Sequence, residues 1–258
     1  VPEACDPAAA ALAIRTQAAM VELARVIEAA APDVLIVLTP HGLHLEGHLA
    51  VVVAGRLAGA LDEAASVALD VPVDRELALA VLGGLRDAGV PALSVSYGGN
   101  DPVEAVMPLD WGSLIPLWYL GGRRDPPRAV VLVSPARDLP PEVHVLAGEA
   151  IARVAASAGR RIVLVASADQ SHTHQASGPY GYDAAAAILD GEMARILGQG
   201  RLSALAAIDP DLIDAAKPDG WWQLLMLAGA IGDDWRATLH SYEAPTYYGM
   251  LCASFVPG

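Results

Sequence analysis

Short apolar runs alternate with longer segments of helical spacing along most of this chain. "VLIVL" (34–38), "AVVVAG" (50–55), "ALSVSY" (92–97), "AVVLVS" (129–134) and "RIVLVAS" (161–167) are dominated by β-branched residues and leucine. Runs this short predict strands covered on both faces. Residues 9–30 carry apolar positions at helical spacing, with Asp6-Pro7 as N-cap and first-turn proline and Pro32-Asp33 as the stop. "RELALAVLGGLRDAG" (75–89) is amphipathic, 141–159 reads as another helix, and "PLDWGSLIPLWYLGG" (108–122) is helical core by its spacing. The C-terminal part predicts helices at 210–216 and 219–230 and extended segments at 237–243 and 248–255. Strands alternating with helices imply a single α/β domain over residues 1–258, a mixed sheet sandwiched between helices.

In such sheets, polar residues just past strand C-termini face a common crevice. Five of the seven histidines occupy such places: His41, His44 and His48 follow the run at 34–38, and His172 and His174 follow the run at 161–167. Imidazole is the commonest metal ligand and the usual general base near neutral pH. His44 and His48 alternate with leucines and read as loop or packing positions. Asp169 lies three residues before His172. Asp110 and Asp219 each stand at a predicted helix start, where a carboxylate serves either as a cap or, for Asp219, as a metal ligand. Glu243 sits among Tyr242, Tyr247 and Tyr248. Tyr180 and Tyr182, in the turn "GPYGYD", either plug the loop or wall a pocket.

Composition narrows the field. With 258 residues, 54% hydrophobic and 18% charged, the chain can build a sizeable core rather than remain disordered. A formal charge of -14 argues against nucleic acid as a partner. The two cysteines, Cys5 and Cys252, form no C-x-x-C, which excludes a thiolate zinc site and fits free thiols in a reducing cytoplasm. Neither a signal peptide nor an apolar stretch of the ~20 residues that span a bilayer is visible, so a cytoplasmic protein without a membrane partner is expected. Nucleophile-elbow, phosphate-loop, H-E-x-x-H and dinucleotide-binding motifs are all missing.

The order of "VLIVLTPHG", "PLDWGSLIPLWYL", "VLVASADQSHTHQASGPYGYD", "KPDGWWQLLMLAGAI" and "SYEAPTYYGMLCASF" resembles the class III extradiol ring-cleavage dioxygenases, nearest the Memo-type branch. The resemblance covers about residues 30 to 255. It implies a non-haem iron(II) site, with Zn, Cu or Mn as alternative metals, and a small catechol-like aromatic and dioxygen as partners. It implies His41 as one metal ligand and a late carboxylate as another, Asp219 by alignment of the "LLMLAGA" helix or else Glu243. His172 maps onto the family's base, with Asp169 and Ser171 fixing its tautomer. One further histidine ligand is expected upstream of Val1, the N-terminus reading as incomplete. Trp111, Tyr180, Tyr182 and Tyr247 are the expected pocket walls. Trp111 stands where ring-cleaving members carry a histidine after "PLD", and an indole cannot take up a proton. The rival readings are a Memo-like metal-binding protein without ring cleavage and a zinc-site hydrolase. Trp221–Trp222 and Tyr247–Tyr248, if exposed, would offer a homo-oligomer surface.

Overall fold

A computed structural model describes residues 11–62 and 64–258. The elements run α1 (Ile14–Ala30), β1 (Val34–Leu38), β2 (Leu49–Val52), β3 (Arg56–Leu61), β4 (Ala64–Pro72), α2 (Arg75–Asp87), β5 (Ala92–Val95), β6 (Val106–Pro108) and α3 (Trp111–Leu120). They continue with β7 (Ala129–Ser134), α4 (Pro141–Ser157), β8 (Ile162–Ala166), α5 (Ala185–Gln199), a 3-10 turn (Leu202–Ala207), α6 (Pro210–Ala216), α7 (Trp221–Ile231), β9 (Trp235–Glu243) and β10 (Met250–Pro257). The expected start of the first helix at Asp6-Pro7, and Cys5, lie outside the described residues.

The central sheet has the order β5-β2-β7-β1-β8. β1 runs parallel to β7 and β8, β2 parallel to β5, and β2 antiparallel to β7, so the sheet is mixed, in a single α/β domain. All five residues of β1 are buried, as the run "VLIVL" predicts for a central strand. β8 departs from that expectation. It is the edge strand, and its five residues are only half-buried because they pair with β1 on one side alone. A β4-β3-β6 sheet and a β10-β9 pair complete the β structure. The β3–β4 hairpin and α5 are elements the sequence reading did not name. In β4 the buried Val67, Leu69 and Val71 alternate with more exposed residues, the period of a half-buried strand.

Local chemistry sets the helix ends. Asp74 caps α2 by accepting from the Leu77 amide at 3.0 Å, and Leu77, Ala78, Val81, Leu82 and Leu85 form its buried stripe. Asp110 caps α3 in the same way and also accepts from the Thr39 hydroxyl at 3.1 Å.

Register then positions the site. Leu38 at the end of β1 lies opposite Ala166 at the end of β8 and Val133 near the end of β7. Three parallel neighbouring strands therefore release their next loops at one edge of the sheet. Those loops carry His41, then Arg137, then Asp169 and His172. No described helix is long and apolar enough to cross a membrane.

Candidate metal centre

The His41 loop is pinned from two sides. Ser134 donates to the His41 carbonyl at 3.0 Å, and the Trp111 ring packs on the imidazole with centroids 4.2 Å apart. The loop after β8 is tied to α3, because the Ser167 hydroxyl donates to the Gly112 carbonyl at 2.6 Å. Asp219 arrives from the turn before α7. Gly220 lets that turn touch the β8 loop, since a Cβ there would lie 2.6 Å from both the Ala168 Cα and the Asp169 carbonyl oxygen. α7 has no side-chain cap, so Asp219, unlike Asp110, is not consumed by its own helix.

His41, Asp169 and Asp219 each offer a ligand atom, and these atoms lie within 4.8 Å of one another. His41 Nε2 stands 4.0 Å from Asp219 Oδ2, and His172 Nε2 stands 3.9 Å from the same oxygen. The other oxygen, Oδ1, accepts from Arg137 at 2.7 Å, while the guanidinium also donates to the Pro40 carbonyl at 2.9 Å. Arg137 thus turns Oδ2 toward the two imidazoles. Its guanidinium carbon lies 5.0 Å from the Trp222 ring centroid. Among the described residues, His41 Nε2 and both Asp169 carboxylate oxygens are buried with no hydrogen-bond partner. His172 Nε2 stands 3.5 Å from Asp169 Oδ2, at the outer limit of hydrogen bonding.

Buried, unpaired donor atoms that converge on one point are costly unless something binds them. A divalent cation fits this set. Two carboxylates and an imidazole are oxygen and nitrogen donors that suit Fe(II), Mn(II) or Zn(II), and no thiol joins them among the described residues.

His172 is 5% exposed, and its Nδ1–H donates to the Gln170 carbonyl at 2.8 Å. That bond leaves Nε2 as the lone-pair nitrogen, facing Asp169 and Asp219. A backbone carbonyl, rather than Asp169 or Ser171, therefore fixes the tautomer, and the Ser171 hydroxyl has no partner among the described residues. Burial alone would push the imidazole down. The Asp169 and Asp219 carboxylates outweigh it and hold His172 above the ordinary histidine value. Tyr248 stacks on the ring with centroids 5.4 Å apart, and Tyr247 tilts against it at 5.6 Å.

Other residues fall elsewhere. Glu243 does not reach the cluster: its carboxylate accepts from the Thr16 amide at 2.6 Å and from the Thr16 hydroxyl at 2.7 Å. β9 packs beside α1, and Glu243 is used on an unpaired amide of that helix's first turn. Tyr180 sets its ring edge-on to His172 at 6.2 Å and is 59% exposed. Tyr182 bridges His174 through its backbone and is 67% exposed, so it is a rim residue rather than a wall. His44 is exposed, and His48 turns its Nδ1 to the Glu46 carbonyl. Trp221 is buried, its indole N–H donating to the Leu205 carbonyl, which removes it from any exposed partner surface. A cavity of about 240 Å³ opens beside Asp219, walled by Arg137, Tyr180, Lys217, Trp221 and Trp222. Trp222, which the sequence offers as a partner-surface residue, walls this cavity, and Arg137 joins it by following β7 just as His41 follows β1.

Cys252 is buried in β10. Burial and the Glu243 charge push its thiol up to about 11, with Ser241 offsetting part of the rise. At pH 8 it is a protonated thiol, and only the thiolate reacts. In a Cys5→Ser background, a thiol reagent at pH 8 is expected to label Cys252 only after unfolding. Fast labelling of the native protein would contradict this burial.

Comparison with known proteins agrees with the fold. The chain is 24% identical over 225 residues to Protein CA_C1420 of Clostridium acetobutylicum, covering 86% of this chain and 47% of that protein. The chain thus spans about half the length of that relative. The crystal structure of the uncharacterized protein JW3007 from Escherichia coli K12 superposes with a TM-score of 0.58 at 16% identity, over 86% of this chain and 85% of that one. Residues 9–252 match the family described as the catalytic LigB subunit of aromatic ring-opening dioxygenase, and the chain belongs to that family.

Proposed function

We propose that this protein is a metal-dependent extradiol dioxygenase that opens the ring of a catechol-like aromatic, with iron(II) as its metal. The observation that carries this reading is the convergence of His41, Asp169 and Asp219 on one point, with donor atoms left buried and unpaired, beside an imidazole whose Nε2 faces them. These three residues would hold the ion, together with any further histidine supplied by a segment ahead of Val1. Iron(II) bound there would supply the one-electron chemistry through which dioxygen reacts with a diol.

The chain's own residues account for the rest. His172 Nε2 takes a phenolic proton from the substrate, and the adjacent Asp169 carboxylate stabilises the imidazolium that results. Tyr248 and Tyr247 shield that imidazole from water. Arg137 keeps Asp219 oriented. Trp111 and Tyr180 offer aromatic faces to a planar ring.

The Trp111 indole favours a second reading. It stacks on His41 where ring-cleaving members place a proton carrier, as suits a metal-binding relative without turnover. Protein loaded anaerobically with iron(II) and then given catechol and oxygen separates the two. The dioxygenase consumes oxygen in step with loss of the catechol. Tight metal binding without oxygen uptake across a panel of catechols would leave only the second reading.

A further inference from the structure

His174 was conspicuous in the sequence for the same reason as His172, yet it does not join the metal cluster. Its Nε2 lies 2.7 Å from Oδ2 of Asp190, a carboxylate on α5 that is 0% exposed. The Tyr242 hydroxyl donates to the same oxygen at 2.7 Å, and the Ser171 amide donates to Oδ1 at 2.9 Å. A buried carboxylate with three donors is a satisfied anion rather than a stranded one. Burial and the Asp190 hydrogen bond push the Tyr242 phenol far above its ordinary range, so it remains a donor.

The three donors come from different parts of the fold. Ser171 and His174 bracket His172 on the β8 loop, and Tyr242 belongs to β9. Around them, the Gln170 amide donates to the Gly249 carbonyl at 2.8 Å, the Gly249 amide to the Ser171 carbonyl at 3.0 Å, and the His174 amide to the Tyr247 carbonyl at 3.1 Å. Gly249 can be nothing larger, since a Cβ there would lie 2.0 Å from Asp190 Oδ2. The chain has been drawn tightly onto this carboxylate.

We propose that Asp190 is a positioning residue: with His174 and Tyr242 it clamps residues 170–174 to the β9–β10 turn and so holds His172 with Nε2 toward the metal cluster. This rests on His172 being the base. The clamp acts through the backbone on either side of that residue. Loosening it frees the Gln170 carbonyl to drift, and with it the bond that selects the tautomer of His172.

The test compares wild type with Asp190→Asn by imidazole NMR of the metal-free full chain, alongside Mn(II) titration and catechol kinetics of the iron(II)-loaded protein. Asparagine keeps the shape but presents an amide to two donors. The expected result is loss of the single Nδ1–H tautomer signal of His172, with kcat lowered roughly 10–100-fold and both KM and Mn(II) affinity unchanged. His174→Gln, which still donates to Asp190, should retain the signal, and His174→Leu should lose it. If Asp190→Asn does not fold, Tyr242→Phe removes one donor without changing volume and carries the same comparison. An unaltered His172 signal in a folded clamp variant overturns the proposal, whatever the rate does. If wild type turns over no catechol, the base assignment falls, and the imidazole signals alone decide whether the clamp positions that ring.

Discussion

Asp169→Asn is expected to make the metal-free protein more stable and the metal-loaded protein less stable than wild type. Without a cation, both Asp169 carboxylate oxygens are buried with no hydrogen-bond donor among the described residues, and His172 Nε2 stands off at 3.5 Å. An unsatisfied buried polar group costs about 1–3 kcal/mol, so its neutralisation should raise the metal-free melting temperature by roughly 2–8 °C. A ligand that binds only the folded state stabilises it by about 2.7 kcal/mol at a hundred times its dissociation constant, and the variant should lose most of that gain. Thermal melts with and without Mn(II) would show the two curves exchanging order. A variant that is destabilised without metal, and still stabilised by it, would make Asp169 a structural partner of His172 instead.

His172→Ala carries the second large effect. A positioned general base contributes on the order of 10²–10⁴ in rate, so turnover should fall by that factor. His172 is not among the three convergent ligand residues, so Mn(II) affinity should hold. The sign of the pH dependence follows from the role. The base must be unprotonated, so wild-type kcat/KM falls on the acid side as Nε2 takes up a proton, and the variant's residual rate should lack that acid limb. Unchanged turnover, or an acid limb that persists in the variant, would remove the base from His172.

The sequence carried the sheet more fully than the site. β1 and β7 could be read because a central strand covered on both faces needs an unbroken apolar run. β8 has the same composition but lies at the edge, and strand order is a tertiary property that the run does not record. α5 is hard to read from sequence although Leu189, Met193, Ile196 and Leu197 share its buried face, because its alanines and Gly191 dilute the contrast between faces. His41 and His172 were legible through one rule, that polar residues past parallel strand ends share a crevice. Arg137 obeys the same rule, but a lone arginine after "SPA" has no histidine beside it to mark a site. The choice between Asp219 and Glu243 was beyond any local pattern. Both are acids far along the chain from His41, and only the packing of Gly220 on the β8 loop and of Glu243 on α1 separates them. That same contact is what brings Asp169 beside Asp219.

The most direct test of the shared-cation claim is anomalous diffraction from crystals grown with Mn(II) or, anaerobically, Fe(II). One ion is expected within about 2.0–2.3 Å of His41 Nε2 and of an oxygen from each of Asp169 and Asp219, with His172 beside it. An ion bound elsewhere, or these three side chains turned away from one another with no density between them, would contradict it.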